Sequence, residues 1–243
     1  MQFQDYFPSF SEALATIYSK EESRILYRYF LEDFQERKVE NLASEFKKVT
    51  EELKKGKPYQ QILGYTEFYG NRFFVDENVL IPRPETEELL ELAISKIKNL
   101  KSKIQNLKLL DVGTGSGIIP ITLKKYFPDA EISAMDISEK ALEIAQKNAD
   151  FHQTEIKFLQ ADYLNTNLTE KYDVIISNPP YIGIDENTEI EDSVKGFEPN
   201  IALFSPTQDA LIFYRKITKD CENHLNENGL FFLEINQKLG KET

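Results

Sequence analysis

The chain has 243 residues, of which 41% are hydrophobic and 12% aromatic, and it carries a formal net charge of −12 at pH 7. This length and composition indicate a globular protein with one large or two modest domains. Affinity for nucleic acid depends mainly on Lys and Arg side chains that neutralise phosphates, so the acidic balance argues against DNA or RNA as the main substrate.

The amino-terminal part of the sequence follows a helical hydrophobic pattern in three stretches. The apolar positions recur at helical spacing and are Phe10, Leu14, Ile17 and Tyr18, then Ile25, Leu26, Tyr29 and Phe30, then Leu42, Phe46, Val49 and Leu53. Gly56, Pro58 and Gly64 then interrupt the pattern. We therefore predict a small helical domain over residues 1–65, whose aromatic faces form its core or, in part, a surface that docks a partner.

Residues 66–84 predict a β-hairpin followed by an ordered connector. Aromatic-rich runs flank Gly70 and Asn71, which are residue types that favour tight hairpin turns. A helix is expected from Glu85 onward, because acidic side chains in a first turn complement the helix dipole.

From Lys108 onward, predicted strands alternate with predicted helices. The strands are expected at residues 109–112, 131–135, 155–159, 172–177 and 230–235. The helices are expected at residues 118–126, after the capping residue Ser138, and at about residues 209–225. Because alternation of this kind specifies a doubly wound, mainly parallel sheet, we predict an α/β domain over residues 85–243.

The chain stops at Thr243, soon after the last predicted strand. Residues 230–233, Leu-Phe-Phe-Leu, would then form a bare hydrophobic edge of the sheet, and such edges promote aggregation. We therefore expect that the domain is truncated at its carboxyl terminus, or that another chain covers this edge.

The tetrapeptide Asn178-Pro179-Pro180-Tyr181, here called the shelf, directly follows the predicted strand at residues 172–177. Its two prolines lack N–H groups and hold φ at about −65°, so they can extend neither a strand nor a helix. Unpaired carbonyl groups, the Asn178 amide and the Tyr181 phenol at a strand end suit the recognition of a planar NH2 group. Taken alone, the tetrapeptide is also compatible with an ordinary loop.

A glycine-rich loop joins the first predicted strand of the α/β domain to its helix. Its sequence, Asp-Val-Gly-Thr-Gly-Ser-Gly over residues 111–117, allows a tight turn and a close approach to a ligand, because no Cβ intervenes. Asp136 ends the next predicted strand, where a carboxylate can accept hydrogen bonds from both hydroxyls of a ribose. These features predict a ligand that contains a ribose.

The glycine spacing favours S-adenosylmethionine over a dinucleotide. The pattern is Gly-x-Gly-x-Gly, and Asp111 would repel a pyrophosphate but suit the cationic amino-acid end of S-adenosylmethionine, directly or through water. After the third strand, Tyr163 can stack on the adenine and Asp162 can accept from its amino group, although Tyr163 can equally be a packing aromatic. The predicted cofactor-binding residues are Asp111, Gly113, Thr114, Gly115, Ser116, Gly117, Asp136, Asp162, Tyr163 and Asn178.

Neither a membrane segment nor a secretory signal is visible in the sequence. No apolar stretch approaches the roughly 20 residues that span a bilayer, and the first residues include no basic region. Cys221 is the only cysteine, so no internal disulfide can form, as is usual in the cytoplasm. One cysteine and two separated histidines also argue against a metal site. We expect a cytoplasmic protein without a metal.

The sequence resembles the HemK/PrmC family, whose members are S-adenosylmethionine-dependent enzymes that methylate a glutamine of peptide chain release factors. The resemblance runs from about Pro58 to the end. It is carried by residues 58–64 (Pro-Tyr-Gln-Gln-Ile-Leu-Gly), residues 81–87 (Ile-Pro-Arg-Pro-Glu-Thr-Glu), the glycine loop, the shelf, and Phe197-Glu198-Pro199 with Ala202 and Leu203. The first two segments are not shared by methyltransferases at large. The resemblance implies a Rossmann-like class I methyltransferase fold, which in the family continues with a further helix and a hairpin of strands.

The resemblance also implies a substrate, the glutamine of a Gly-Gly-Gln loop in a release factor, and a side-chain N-methyl amide as product. We expect Asn178, Pro179 and Tyr181 to be catalytic and, with Pro180, to bind the substrate. In this interpretation the Asn178 side-chain oxygen and the Pro179 carbonyl each accept one N–H of the amide. The helical domain of residues 1–65 would then dock the release factor.

Two alternatives remain open at this point. An exocyclic amine of adenine or guanine in nucleic acid also presents an NH2 group that the shelf could hold, although the base would have to be flipped out of its helix. A non-catalytic module that binds a translation factor could have kept the fold alone.

Overall fold

The computed structural model describes residues 6–101, 104, 106–182, 196–236 and 239–242. Of these, the residues up to Tyr65, together with Gly196 and Phe197, form one compact unit, and the others form a second. Each unit contains its own hydrophobic core.

The first unit is helical, as predicted. Its helices are α1 (Phe7–Leu14), α2 (Lys20–Glu36), α3 (Leu42–Lys54) and the short α4 (Tyr59–Leu63). A capping box begins α2, since the Ser19 hydroxyl accepts from the Glu22 N–H at 3.2 Å and the Glu22 carboxylate accepts from the Ser19 N–H at 2.8 Å.

Aromatic side chains dominate the core of the helical unit. The stacked rings of Tyr27 and Phe46, 4.5 Å apart, lie within it. Ile17 and Ile25 also follow the helical spacing of the sequence, but these side chains are 47% and 46% exposed. The helix α1 ends at Leu14, before Ile17, and Ile25 lies outside the helical stripe that buries Leu26.

A hairpin follows, with strands β1 (Tyr65–Phe68) and β2 (Asn71–Phe74). Its turn consists of Tyr69 and Gly70, with φ values of +51° and +69°, so it begins one residue earlier than predicted. Left-handed φ at both central residues is typical of the tight turns whose twist matches paired strands.

The second unit is built around a five-stranded parallel sheet with the order β5-β4-β3-β6-β7. The strands are β3 (Lys108–Val112), β4 (Glu131–Asp136), β5 (Lys157–Gln160), β6 (Tyr172–Ser177) and β7 (Leu225–Leu233). The helices are α5 (Pro84–Lys101), α6 (Ile118–Tyr126), α7 (Glu139–Phe151), α8 (Asn200–Leu203) and α9 (Ile212–His224). Ser138 caps α7 as predicted, by accepting from the Ala141 N–H.

Helices cover both faces of the sheet. Side chains of α5 and α6 share one core with β3 and β6, while Ile217 of α9 and Tyr163 contribute to the core on the other face. All six residues of β6 are buried, as expected for a central parallel strand. The predicted doubly wound α/β fold is confirmed.

The strand boundaries differ from the prediction by one residue at β3 and β4 and by more at β5 and β7. β5 begins at Lys157 rather than at residue 155, and β7 begins at Leu225 rather than at residue 230. Pairing of Tyr172 with Leu225 extends β7, with a register shift before the next pair, Val174 with Leu230. β7 forms one edge of the sheet, where Phe231 is 50% exposed.

The strand order reverses between β3 and β6, and this reversal positions the site. From β3 the chain proceeds to β4 and β5 on one side, whereas β6 and β7 lie on the other. Val112 and Ser177 are paired neighbours, so the glycine loop and the shelf leave the sheet side by side. Open α/β sheets bind ligands at such a reversal.

Among the residues described, no helix is both long enough and apolar enough to cross a bilayer.

Gly117 allows α6 and α7 to pack closely. It immediately precedes α6 with a φ of +80°, and a Cβ at this position would lie 3.1 Å from the Cβ of Ala145 on α7. Gly70 also has a positive φ, but a Cβ there would meet no atom within 4 Å. A side chain at Gly70 would therefore meet backbone strain alone, whereas a side chain at Gly117 would meet backbone strain and a steric clash.

We expect Gly117→Ala to destabilise the protein more than Gly70→Ala. Both substitutions force a side chain into a left-handed conformation, which costs about 1–2 kcal/mol. Only Gly117→Ala adds overpacking, which costs a further ~1–3 kcal/mol. Urea unfolding, followed by circular dichroism, measures the difference. Equal losses of unfolding free energy in the two variants would contradict this view of the α6–α7 contact.

Candidate active site

A cavity of about 760 Å³ opens at the carboxyl edge of the sheet, where β3, β4 and β6 end. Its volume is within the usual range of ligand sites, roughly 300–1,000 Å³. Of the residues predicted to bind cofactor or substrate, the cavity is lined by Gly113, Gly115, Asp136, Asp162, Tyr163, Asn178 and Pro180. The structure thus brings the glycine loop, the end of β4 and the shelf around one space.

The glycine loop bends over the end of β4. The N–H groups of Gly113 and Thr114 both donate to the Met135 carbonyl, at 2.9 and 3.0 Å. Gly113, Gly115 and Gly117 have φ values of +74°, +54° and +80°. Side chains strongly disfavour this left-handed region, so the turn requires glycine at these positions. Gly117 and the buried Ser116 lie behind the cavity rather than on its wall.

Asp136 is held at the end of β4 by backbone N–H groups. One carboxylate oxygen accepts from Gly115 at 2.8 Å and the other from Ser138 at 2.9 Å. Burial raises the pKa of Asp136, whereas the N–H groups of Ser138, Gly115 and Ile137 lower it. Since a carboxylate oxygen can accept more than one hydrogen bond, the fixed carboxylate can also receive two hydroxyl groups.

Asp111 lies on β3 beneath the glycine loop and is fully buried. Neither of its carboxyl oxygens has a hydrogen-bond partner, and the same is true of the buried Thr114 hydroxyl. The pKa of Asp111 is raised to about 7, mainly by burial; the nearby Thr114 hydroxyl lowers this pKa and the Asp136 charge raises it. A buried charge without a partner is strongly unfavourable, so this position favours a ligand that brings a positive charge close by.

Tyr163 forms part of the cavity wall from a short 3₁₀ turn, Tyr163–Asn165. Its hydroxyl donates to Asp220 at 2.8 Å, and the Lys216 ammonium, 2.6 Å from Asp220, lies 4.9 Å from the centre of the ring. These contacts fix the ring, most of which is buried in the core. Asp162 accepts locally, from the Leu164 N–H and the Asn165 side chain. Asp220 and Lys216 were not predicted, since their one sequence signal, a spacing of four on α9, is common on helix surfaces.

The shelf lies next to the glycine loop. A Cβ built on Gly113 would be 4.0 Å from the backbone oxygen of Asn178. Asn178 and Pro180 line the cavity, whereas Pro179 is buried and the half-buried Tyr181 lies beyond the wall. After the shelf, Ile182 pairs with the segment that follows α8, through the Ser205 N–H at 2.9 Å.

Sequence reasoning missed Thr86 and Glu234, whose side chains contact the side chains of the shelf. The Asn178 amide donates to the Thr86 hydroxyl at 3.1 Å, and this hydroxyl donates to Glu234 at 2.7 Å. The Tyr181 hydroxyl donates to the other oxygen of Glu234 at 3.3 Å. Thr86 is part of the segment of residues 81–87 that carries the resemblance, but nothing in the sequence pairs it with Glu234.

Glu198, for which the sequence suggested no role, is a buried structural anchor. Its carboxylate accepts from the Ile81 N–H at 3.0 Å and from the Arg83 guanidinium at 2.6 Å. These bonds fix the connector that leads into α5.

Within the described part of the chain, no three His, Cys, Asp or Glu residues are grouped so that they could hold a metal ion.

The site's chemistry fits S-adenosylmethionine. Asp136 can accept from ribose hydroxyls, and the unpartnered Asp111 carboxyl suits a nearby positive charge. Tyr163 lines the cavity but is 5% exposed and packed in the core. The contribution of each predicted residue to cofactor or substrate binding stays a prediction.

Comparison with known proteins identifies the family. Residues 93–194 match a family model described as "Methyltransferase small domain". The chain is 44% identical over 257 residues to the release factor glutamine methyltransferase of Flavobacterium psychrophilum, with 100% of this chain and 90% of that protein aligned. It is 43% identical to the protein of the same name from Lactococcus lactis subsp. lactis, over 79% of this chain and 69% of that protein. The match to the Streptococcus pneumoniae protein is 44%, over 79% and 67%. Identity of this degree along the whole chain shows that the protein belongs to the release factor glutamine methyltransferase family.

Proposed function

We propose that the chain transfers a methyl group from S-adenosylmethionine to the side-chain amide nitrogen, N5, of the glutamine in the Gly-Gly-Gln motif of a peptide chain release factor. The observation that carries the proposal is the position of Asn178, which lines the same cavity as Gly113 and Asp136. A methyl donor held by the loop and an amide held by the shelf would share this cavity.

S-adenosylmethionine supplies an electrophilic methyl group on a sulfonium centre. Asp136 would accept the ribose hydroxyls, and the Asp111 carboxyl would stabilise the cationic amino-acid end, directly or through water. Tyr163 and Asp162 would receive the adenine. The backbone of residues 113–117, including Thr114 and Ser116, would shape the loop around the ligand. This assignment is supported by the fixed carboxylate of Asp136 and by the unpartnered carboxyl of Asp111.

The amide substrate determines what the shelf must do. An amide nitrogen is a weak nucleophile, because its lone pair is shared with the carbonyl group. The Asn178 side-chain oxygen and the Pro179 carbonyl would each accept one N–H of the glutamine, so the lone pair points toward the methyl group. Such positioning lowers the barrier by several kcal/mol, and hydrogen bonds that strengthen as positive charge develops lower it further. Tyr181 would pack against the amide plane, and Pro180 would keep the shelf rigid.

The helical unit and the net charge support a protein substrate. We infer that residues 1–65 dock the release factor and that methylation takes place in the cytoplasm, where a chain with one cysteine needs no disulfide. Transfer to an exocyclic amine of nucleic acid is the second candidate. It is disfavoured by the net charge of −12, because phosphate binding depends on Lys and Arg.

The substrate class can be tested directly. The purified chain is mixed with radiolabelled S-adenosylmethionine and with release factor, nucleic acid or neither. We expect label in the release factor alone, and mass spectrometry should place one added methyl group on the Gly-Gly-Gln peptide. Label in nucleic acid alone would support the second candidate, and label in neither would favour a non-catalytic binding module.

Asn178→Ala tests the role of the shelf. We expect methyl transfer to fall by roughly 10²–10³-fold, the usual effect of removing one preorganised hydrogen bond that stabilises a transition state. Cofactor affinity, measured by calorimetry, should remain largely unchanged. Asn223→Ala on the exposed side of α9 serves as the control and should keep full activity. Unchanged turnover in Asn178→Ala would refute the proposed role.

Asp111 should make cofactor binding depend on pH. With a pKa of about 7, the carboxyl is mostly neutral at pH 6 and about half ionised at pH 7. Because only the carboxylate attracts a cation, S-adenosylmethionine should bind roughly fivefold more tightly at pH 7 than at pH 6. Calorimetry at both pH values measures the ratio.

Asp111→Asn should remove this part of the pH dependence, because an amide does not ionise in this range. Asp150→Asn, an exposed substitution on α7, should behave like the unmodified protein. If the affinity ratio between pH 7 and pH 6 is the same in Asp111→Asn, Asp111 does not stabilise the cation.

A further inference from the structure

We propose that Glu234 is a positioning residue for methyl transfer. Acting through Thr86, it determines which atom of the Asn178 amide faces the substrate, and it holds the Tyr181 hydroxyl directly. This inference rests on the proposed function and extends the site to the edge strand β7.

The backbone of Glu234 is fixed where β7 ends. Its N–H donates to the Ser177 carbonyl at 3.0 Å, next to the first residue of the shelf. Its own carbonyl accepts from the Tyr214 hydroxyl at 3.1 Å. The side chain therefore projects from an anchored position toward the shelf.

The hydrogen bonds from Asn178 through Thr86 to an ionised Glu234 run in one direction only. Burial raises the pKa of Glu234, whereas the hydrogen bonds it accepts from Thr86, Tyr181 and Asn178 lower this pKa. A carboxylate accepts hydrogen bonds and has none to donate, so the Thr86 hydroxyl donates its single hydrogen to Glu234, at 2.7 Å. The Thr86 oxygen must then accept from the Asn178 NH2 group, at 3.1 Å. Thr86 is 1% exposed, so water does not compete for this hydroxyl.

This direction matters because an asparagine amide has two orientations of nearly equal shape. One presents an oxygen to the cavity and the other presents an NH2 group. A glutamine substrate offers N–H donors, so only the first orientation can bind it. With its NH2 group bound to Thr86, Asn178 keeps its oxygen for the substrate.

The second oxygen of Glu234 accepts from the Tyr181 hydroxyl at 3.3 Å. Burial raises the pKa of Tyr181 to about 12, and the charge of Glu234 raises it as well, so the phenol remains a donor. A single carboxylate thus holds both polar side chains of the shelf, one through each oxygen.

Thr86→Val and Thr86→Ser form a matched pair for testing the relay, by which we mean the hydrogen bonds from Asn178 to Thr86 and from Thr86 to Glu234. Valine keeps the shape of threonine but removes the hydroxyl, whereas serine keeps the hydroxyl. We expect Thr86→Val to lower kcat/KM for release factor about tenfold, in line with the loss of one hydrogen bond, while cofactor affinity stays constant. Thr86→Ser should restore most of the activity. Equal activity in Thr86→Val and the unmodified protein would overturn the proposal.

Glu234→Gln tests the carboxylate itself. A glutamine can accept from Thr86 or from Tyr181 through its one oxygen, but its NH2 group cannot accept from the other. We expect a loss of about tenfold in kcat/KM, again with unchanged cofactor affinity. Glu88→Gln, an exposed substitution on α5, is the control and should be fully active. A fully active Glu234→Gln variant would count against the proposal.

A nuclear magnetic resonance measurement tests the hydrogen bond from Asn178 to Thr86 without an activity assay. The Asn178 side-chain NH2 signals can be assigned by their absence in Asn178→Asp. Their hydrogen exchange with water should be slow in the unmodified protein and in Thr86→Ser, and at least about tenfold faster in Thr86→Val, since the acceptor is gone. Equal exchange in all three proteins would overturn the relay. If the unmodified protein methylates no release factor, the proposed function fails, while this comparison still decides the role of Thr86.

Discussion

The pairing of β3 with β6 is the constraint on which the site depends. These two parallel strands are neighbours where the strand order reverses, and Val112 lies opposite Ser177. The residues that follow, Gly113 and Asn178, therefore begin two loops that diverge around one cavity. The glycine loop can accept a close ligand because its three glycines adopt left-handed φ and carry no Cβ, whereas the prolines keep the shelf rigid. Methyl transfer needs both properties at adjacent strand ends.

Three carboxyl groups belong to the site, and their partners give them different properties; of the three, Asp136 lines the cavity. Asp136 is satisfied by backbone N–H groups, so it is a rigid acceptor. Glu234 is satisfied by the Thr86 and Tyr181 hydroxyls, so it orients other side chains. Asp111 is fully buried and neither of its carboxyl oxygens has a hydrogen-bond partner. Burial and the Asp136 charge raise its pKa, although the nearby Thr114 hydroxyl lowers it, so a nearby cation would relieve an unfavourable position. One chemical group thus supports ligand binding, side-chain orientation and charge attraction, according to what surrounds it.

Much of the fold and the cofactor loop could be predicted, because their signals are local in sequence. Strand–helix alternation, the glycine loop and the Ser138 cap each involve residues close in sequence. The helical spacing of the sequence does not show that Ile25 is exposed, because this apolar side chain lies beside the buried stripe of its helix. Thr86 and Glu234 could not be paired from the sequence, since 148 positions separate them and their contact exists only after β7 joins the sheet. The tertiary hydrogen bonds that orient the shelf therefore required the structure.

The most direct test of the account is a crystal structure of the chain with S-adenosylhomocysteine and a Gly-Gly-Gln peptide. We expect the nucleoside to lie between Gly113 and Asp136, and the glutamine nitrogen to face the sulfur while donating to the Asn178 oxygen. Before transfer, the amide nitrogen should lie about 3–3.5 Å from the methyl carbon. In this complex, the gap between nitrogen and sulfur should therefore leave room for that carbon. A glutamine bound outside this cavity, or an Asn178 side chain turned away from the sulfur, would contradict the account.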